Sequence, residues 1–93
     1  MDMTLTETRD LVVTNRLGLH ARAAAKLVQT VEAYRADIRL VKNGEKADAR
    51  SVLSLISLGC AEGARVTVEA EGADALNAVL AVKNLFEERF GEE

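Results

Sequence analysis

Asn43-Gly44 separates the run "DIRLVK" (37–42) from "EKADA" (45–49). A two-residue type I′ turn needs positive φ at both central positions, which Asn followed by Gly tolerates best. The run before it alternates, with Ile38 and Leu40 on one face and Arg39 on the other, the period of a half-buried strand. The chain must therefore turn back on itself here, with "EKADA" as a short, weak antiparallel partner. Any fold for this sequence has to contain that hairpin.

Other elements follow from period and punctuation. "DLVVT" (10–14) is a β-branched strand stopped by turn residues at Asn15 and Gly18. From His20 the period changes: Ala24, Leu27, Val28 and Val31 share one face of a helix running to about Tyr34. Ser51 offers an N-cap hydroxyl to "VLSLISL", a short helix closed by Gly59 as a left-handed C′ residue. "RVTVEA" (65–70) alternates as a strand. A longer helix over 73–90 buries Ala75, Val79, Val82 and Phe86, with Leu76, Leu80 and Phe90 widening the stripe.

The order is β-α-β-β-α-β-α. Each helix has one apolar stripe to bury, so the economical packing is α+β in two layers: a four-stranded antiparallel sheet with three helices on one face. Ninety-three residues support one core. We expect a single domain over 9–90, a flexible N-terminal tail over 1–8 and a C-terminal tail over 91–93.

Composition narrows the class. An apolar share of 48% is too high for disorder, and a net charge of −3 argues against a nucleic-acid binder. Cys60 stands alone, which excludes an internal disulfide. The first ten residues show no signal-peptide pattern, and no apolar run approaches the about 20 residues of a membrane helix. The expectation is a cytoplasmic protein without membrane insertion.

His20 is the single histidine. It directly precedes the helical run and so falls at or beside the N-cap, where free backbone N–H groups carry partial positive charge and attract anions. Arg22 adds a planar donor fork in the first turn. Arg16 and Lys26 are also basic, and Asp10 is the one acidic residue between Arg9 and Glu32. The positive helix end favours neutral imidazole, whose lone pair nucleophilic attack requires. Two readings stay open here: a phosphate-handling nucleophile, and an imidazole that caps the helix or faces water. One His and one Cys, 40 residues apart in the chain, do not build a metal site. A Cys–His nucleophilic pair lacks an orienting third group, and Cys60 reads as a small buried thiol.

The second helix is too apolar to bury fully. Leu55 and Leu58 can face the sheet, which leaves Val52, Leu53 and Ile56 to form an exposed patch suited to docking. Ser51 reads first as a cap and second as a phosphorylation site, since a phosphate there would sit on a helix N-terminus.

"GLHARAAAKLV", "ARSVLSLISLG" and the "KNGEKADA" hairpin between them resemble, in register, HPr, the histidine-containing phosphocarrier family of the bacterial phosphoenolpyruvate-dependent phosphotransferase system. The resemblance runs from about Arg9 to Phe90. It implies an open-faced β-sandwich in which His20 takes a phosphoryl group on Nδ1 from phosphorylated enzyme I and passes it to an enzyme II A component. It further implies that Arg22 stabilises the phosphate, and that Ser51 is the target of an HPr kinase/phosphorylase. Partners would dock on Ala21, Arg22, Lys26, Val52, Leu53 and Ile56. Such a protein is a monomeric carrier rather than a self-contained enzyme, and needs neither cofactor nor metal.

One position departs from the family, which usually has proline where this chain has Ala23. Alanine keeps the helix but gives up a constraint on the turn that carries His20. Two other readings remain. One is a mainly regulatory HPr-like protein, acting in a nitrogen-related branch or as a Ser51-phosphorylated partner of regulators. The other is a ferredoxin-like ligand- or RNA-binding module. RNA binding on a sheet needs stacking aromatics, and Tyr34, Phe86 and Phe90 are all expected in helices.

Overall fold

A computed structural model of the chain describes residues 5–92. Among these residues, the order is β1 (Thr6–Val12), α1 (Ala21–Val31), β2 (Asp37–Lys42), β3 (Glu45–Asp48), α2 (Val52–Ser57), β4 (Arg65–Glu71), α3 (Ala75–Glu87) and a 3₁₀ turn, Arg89–Gly91. The strands form one antiparallel sheet in the order β1-β4-β2-β3. Its inner face buries Leu11, Ile38, Leu40, Ala47, Val66, Val68 and Ala70 under the apolar stripes of the helices. The expected two-layer α+β architecture is thus the observed one.

The hairpin forms as its dipeptide requires. Asn43 and Gly44 have φ of 50° and 81°, and Lys42 pairs with Glu45. β3 is a four-residue charged edge, too short to invite further strand pairing.

Boundaries differ from expectation at β1, α1 and α3. β1 begins at Thr6, so residues 6–8 of the expected N-terminal tail belong to the sheet, while residues 1–4 lie outside the described residues. Backbone pairing from Thr6↔Glu71 to Val12↔Arg65 organises this polar edge, which carries little apolar alternation for sequence to reveal. α1 stops at Val31, short of Tyr34. The Arg50 guanidinium reaches across to the carbonyls of Val31, Tyr34 and Ala36 and so holds the chain that leaves the helix.

α3 stops at Glu87, so Phe90 does not continue its helical stripe. Arg89 and Phe90 both adopt φ of 55°, followed by Gly91 at 75°. A left-handed phenylalanine is unfavourable by itself, but Phe90 is completely buried against Phe86, with ring centroids 4.9 Å apart. Burial of one large side chain outweighs local backbone preference and reverses the chain.

Candidate functional site

Two loops meet below the start of α1. Gly18, at φ 69°, lies so close to the loop after α2 that a Cβ there would be 2.3 Å from the Cys60 carbonyl oxygen. Leu19 N–H donates to that same oxygen at 2.8 Å. Asn15, fully buried, closes the turn from within: its Nδ2 donates to Gly18 O at 2.7 Å, and its own carbonyl accepts from Gly18 N–H. These contacts constrain the turn that precedes His20.

His20 is the N-cap of α1, with extended backbone, and its carbonyl accepts from Ala24 N–H. Arg22 N–H donates to His20 Nδ1 at 3.2 Å. A nitrogen that accepts from a backbone amide carries its lone pair there, which places the ring proton on Nε2. Nε2 lies 2.5 Å from Glu92 Oε2, and Glu92 Oε1 accepts from Asn15 Nδ2 at 2.9 Å. One carboxylate therefore bridges the buried amide and the imidazole. Asn15 commits both amide hydrogens to acceptors, and among the described residues its Oδ1 has no partner.

This arrangement corrects the picture of a histidine set among mainly basic residues. The nearest acid in sequence does not matter; Glu92, 72 residues away and in the expected C-terminal tail, sits on the ring. Its carboxyl is held below the ordinary carboxylate range, first by the Asn15 hydrogen bond. Partial burial opposes that shift, and His20 and Lys26 add to it. Sequence reading missed Glu92 as well as the bridging role of Asn15. "RFGEE" contains one hint, a buried-type Phe followed by a turn-permissive Gly, but no local rule points that turn at His20.

Arg22 is exposed, and with Arg16, Leu17 and Glu92 it lines a shallow depression beside His20. Ala21 is also exposed. Lys26 turns inward, its Nζ donating to Phe90 O at 2.5 Å, so this candidate docking cation also anchors the tail. Ser51 caps α2, its Oγ accepting from Ser54 N–H at 3.1 Å. Along α2 and its C-cap, Leu55 and Leu58 are buried, Leu53 is 79% exposed, Ile56 39%, and Val52 packs partly against the core. Leu17, at 71%, is a further exposed apolar residue in the loop before His20.

Cys60 is buried, and burial pushes its thiol up against the weaker pull of Lys42, the opposite of an activated thiolate. Tyr34 falls in a bend rather than a helix, and neither it nor Phe86 nor Phe90 belongs to a strand. The sheet thus carries no aromatic stacking platform for RNA. No helix among the described residues is long and apolar enough to cross a membrane.

Fold and site together define a small α+β protein that presents one imidazole at a helix N-terminus, its Nδ1 unprotonated. Residues 7–88 match the family model described as the PTS HPr component phosphorylation site. The chain is 40% identical over 84 residues to the phosphocarrier protein HPr of Xylella fastidiosa strain 9a5c, covering 90% of this chain and 94% of that one. It resembles the crystal structure of HPr-C-His from Thermoanaerobacter tengcongensis with a TM-score of 0.89 and 38% identity, over 94% of this chain and 98% of that one. An HPr dimer from the same organism matches with a TM-score of 0.75 and 40% identity, over 86% and 92% of the two chains. The chain belongs to the HPr phosphocarrier family of the phosphotransferase system.

Proposed function

We propose that His20 is the phosphoryl-carrying residue, accepting the group on Nδ1 from phosphorylated enzyme I and passing it to enzyme II A components in the cytoplasm. The observation that carries this reading is the Arg22 N–H···Nδ1 contact at the N-cap of α1. It supports a lone pair on the nitrogen that faces the helix N-terminus, where an attached phosphate would find amide donors.

In the transfer, the Nδ1 lone pair forms the new P–N bond as the donor's bond to phosphorus breaks. The Nε2 proton stays in place and the ring becomes cationic. Arg22 then adds its guanidinium to the phosphate oxygens, and the Arg22 amide exchanges the ring nitrogen for one of them. No deep pocket is needed, because a carrier has to be reached by two different partners in turn. Ala21, Arg22, Lys26, Val52, Leu53 and Ile56 form the docking surface, and the protein acts as a monomeric carrier rather than as an enzyme with its own substrate.

Ser51 supports a second, regulatory layer. It caps α2 next to Val52 and Leu53, so phosphorylation by an HPr kinase/phosphorylase would place about two negative charges on the docking face. The deciding experiment is incubation with enzyme I and labelled phosphoenolpyruvate. Acid-labile, alkali-stable label that disappears in His20→Ala supports the carrier role; an unlabelled wild type overturns it.

A further inference from the structure

The C-terminal turn is held in place by more contacts than a loose end requires. Phe90 is buried on Phe86, Lys26 Nζ donates to Phe90 O, and the amides of Gly91 and Glu92 donate to Glu88 O and Arg89 O. These contacts hold two non-glycine residues at positive φ. Their combined effect is to deliver the Glu92 carboxylate to Asn15 and His20. Glu92 also lies beyond residues 7–88, the segment matched to the family.

We propose that Glu92 is a positioning residue for phosphoryl transfer through His20, a role that rests on the carrier reading above. Its carboxylate holds the Nε2–H, which keeps the lone pair on Nδ1 and the ring in one orientation. When Nδ1 bonds to phosphorus, the ring acquires a positive charge, and the carboxylate already at Nε2 stabilises that charge without removing the proton. The logic is that of an acid orienting a catalytic imidazole from its far nitrogen. Repulsion between carboxylate and phosphoryl group is limited because they occupy opposite sides of the ring. Arg16 and Arg22, which line the depression with Glu92, supply compensating charge. Asn15 fixes the carboxylate from the other side, since its amide is itself tied to Gly18 O.

Two readouts on the full chain test this role. The first is the ring ¹⁵N–¹H cross-peak of the His20 Nε2–H in the unphosphorylated protein, which a solvent-exposed ring proton loses to exchange. The second is the rate of phosphoryl transfer from phosphorylated enzyme I. Glu92→Ala should lose the cross-peak and slow transfer by about tenfold, the scale of one charge-assisted hydrogen bond. Glu92→Gln has one acceptor for two donors, and should shift the cross-peak upfield and slow transfer by a smaller factor. If Glu92→Ala keeps either the wild-type cross-peak or the wild-type rate, or transfers faster, the role of Glu92 is overturned and the carrier reading stands. A wild type that takes no label overturns both.

Discussion

Gly18 faces the carbonyl of Cys60 across a gap that no side chain can enter, with a Cβ placed 2.3 Å from the oxygen. Through that contact, the loop carrying the histidine is seated on the loop that follows α2. Two parts of the proposed docking surface are thereby held in one geometry.

Gly18→Ala should consequently damage both stability and function. The new methyl meets backbone rather than a flexible side chain, and alanine disfavours φ of 69°. We expect a loss of about 2–4 kcal/mol in urea unfolding. Slower labelling of His20 should accompany it, because the turn before the helix has to move.

Asn15→Ala removes the amide that joins Gly18 O to Glu92. The side chain is fully buried, so its loss leaves Gly18 O without that donor and opens a small cavity, for about 1–3 kcal/mol. The Glu92 carboxyl should rise toward the ordinary carboxylate range, since Asn15 is the main cause of its depression. Chemical denaturation and an NMR titration of the Glu92 side chain measure the two effects.

Acid should release the C-terminal contact. Because the folded state lowers the Glu92 pKa, the contact contributes in full above the unfolded value, roughly 4.3, and is lost as pH falls through the lower folded value. The Asn15 side-chain amide resonances should follow this titration with a midpoint below that of free glutamate. In Glu92→Gln the same resonances should show no such step.

Ser51 separates a structural role from a regulatory one. Ser51→Ala removes the acceptor for Ser54 N–H and should cost about 1 kcal/mol, seen as a lower melting temperature. Ser51→Asp retains a capping oxygen yet places a charge beside Val52 and Leu53, and should slow transfer from enzyme I. Equal transfer rates for Ser51→Asp and wild type would remove Ser51 from the regulatory proposal.

Elements governed by near neighbours were legible without coordinates. Asn43-Gly44 dictates its hairpin because the φ requirement is local, and Ser51 and Gly59 bracket α2 because caps act within a turn. His20 at the start of α1 belongs to the same class, as does the excess of apolar residues on α2. The polar edge of β1 was not legible, since its pairing with β4 leaves no apolar period in Thr6–Asp10.

What the sequence by itself determined is the histidine and its helix: one imidazole, at an N-cap, with Arg22 a turn-step ahead. What only the tertiary structure decided is the environment of that ring. The Cys60 carbonyl that receives Leu19, the amide of Asn15 and the carboxylate of Glu92 come from distant or differently assigned parts of the chain. Glu92 arrives because burial of Phe90 turns the C-terminal segment back toward α1, and such long-range burial leaves no periodic mark in the residues it brings together.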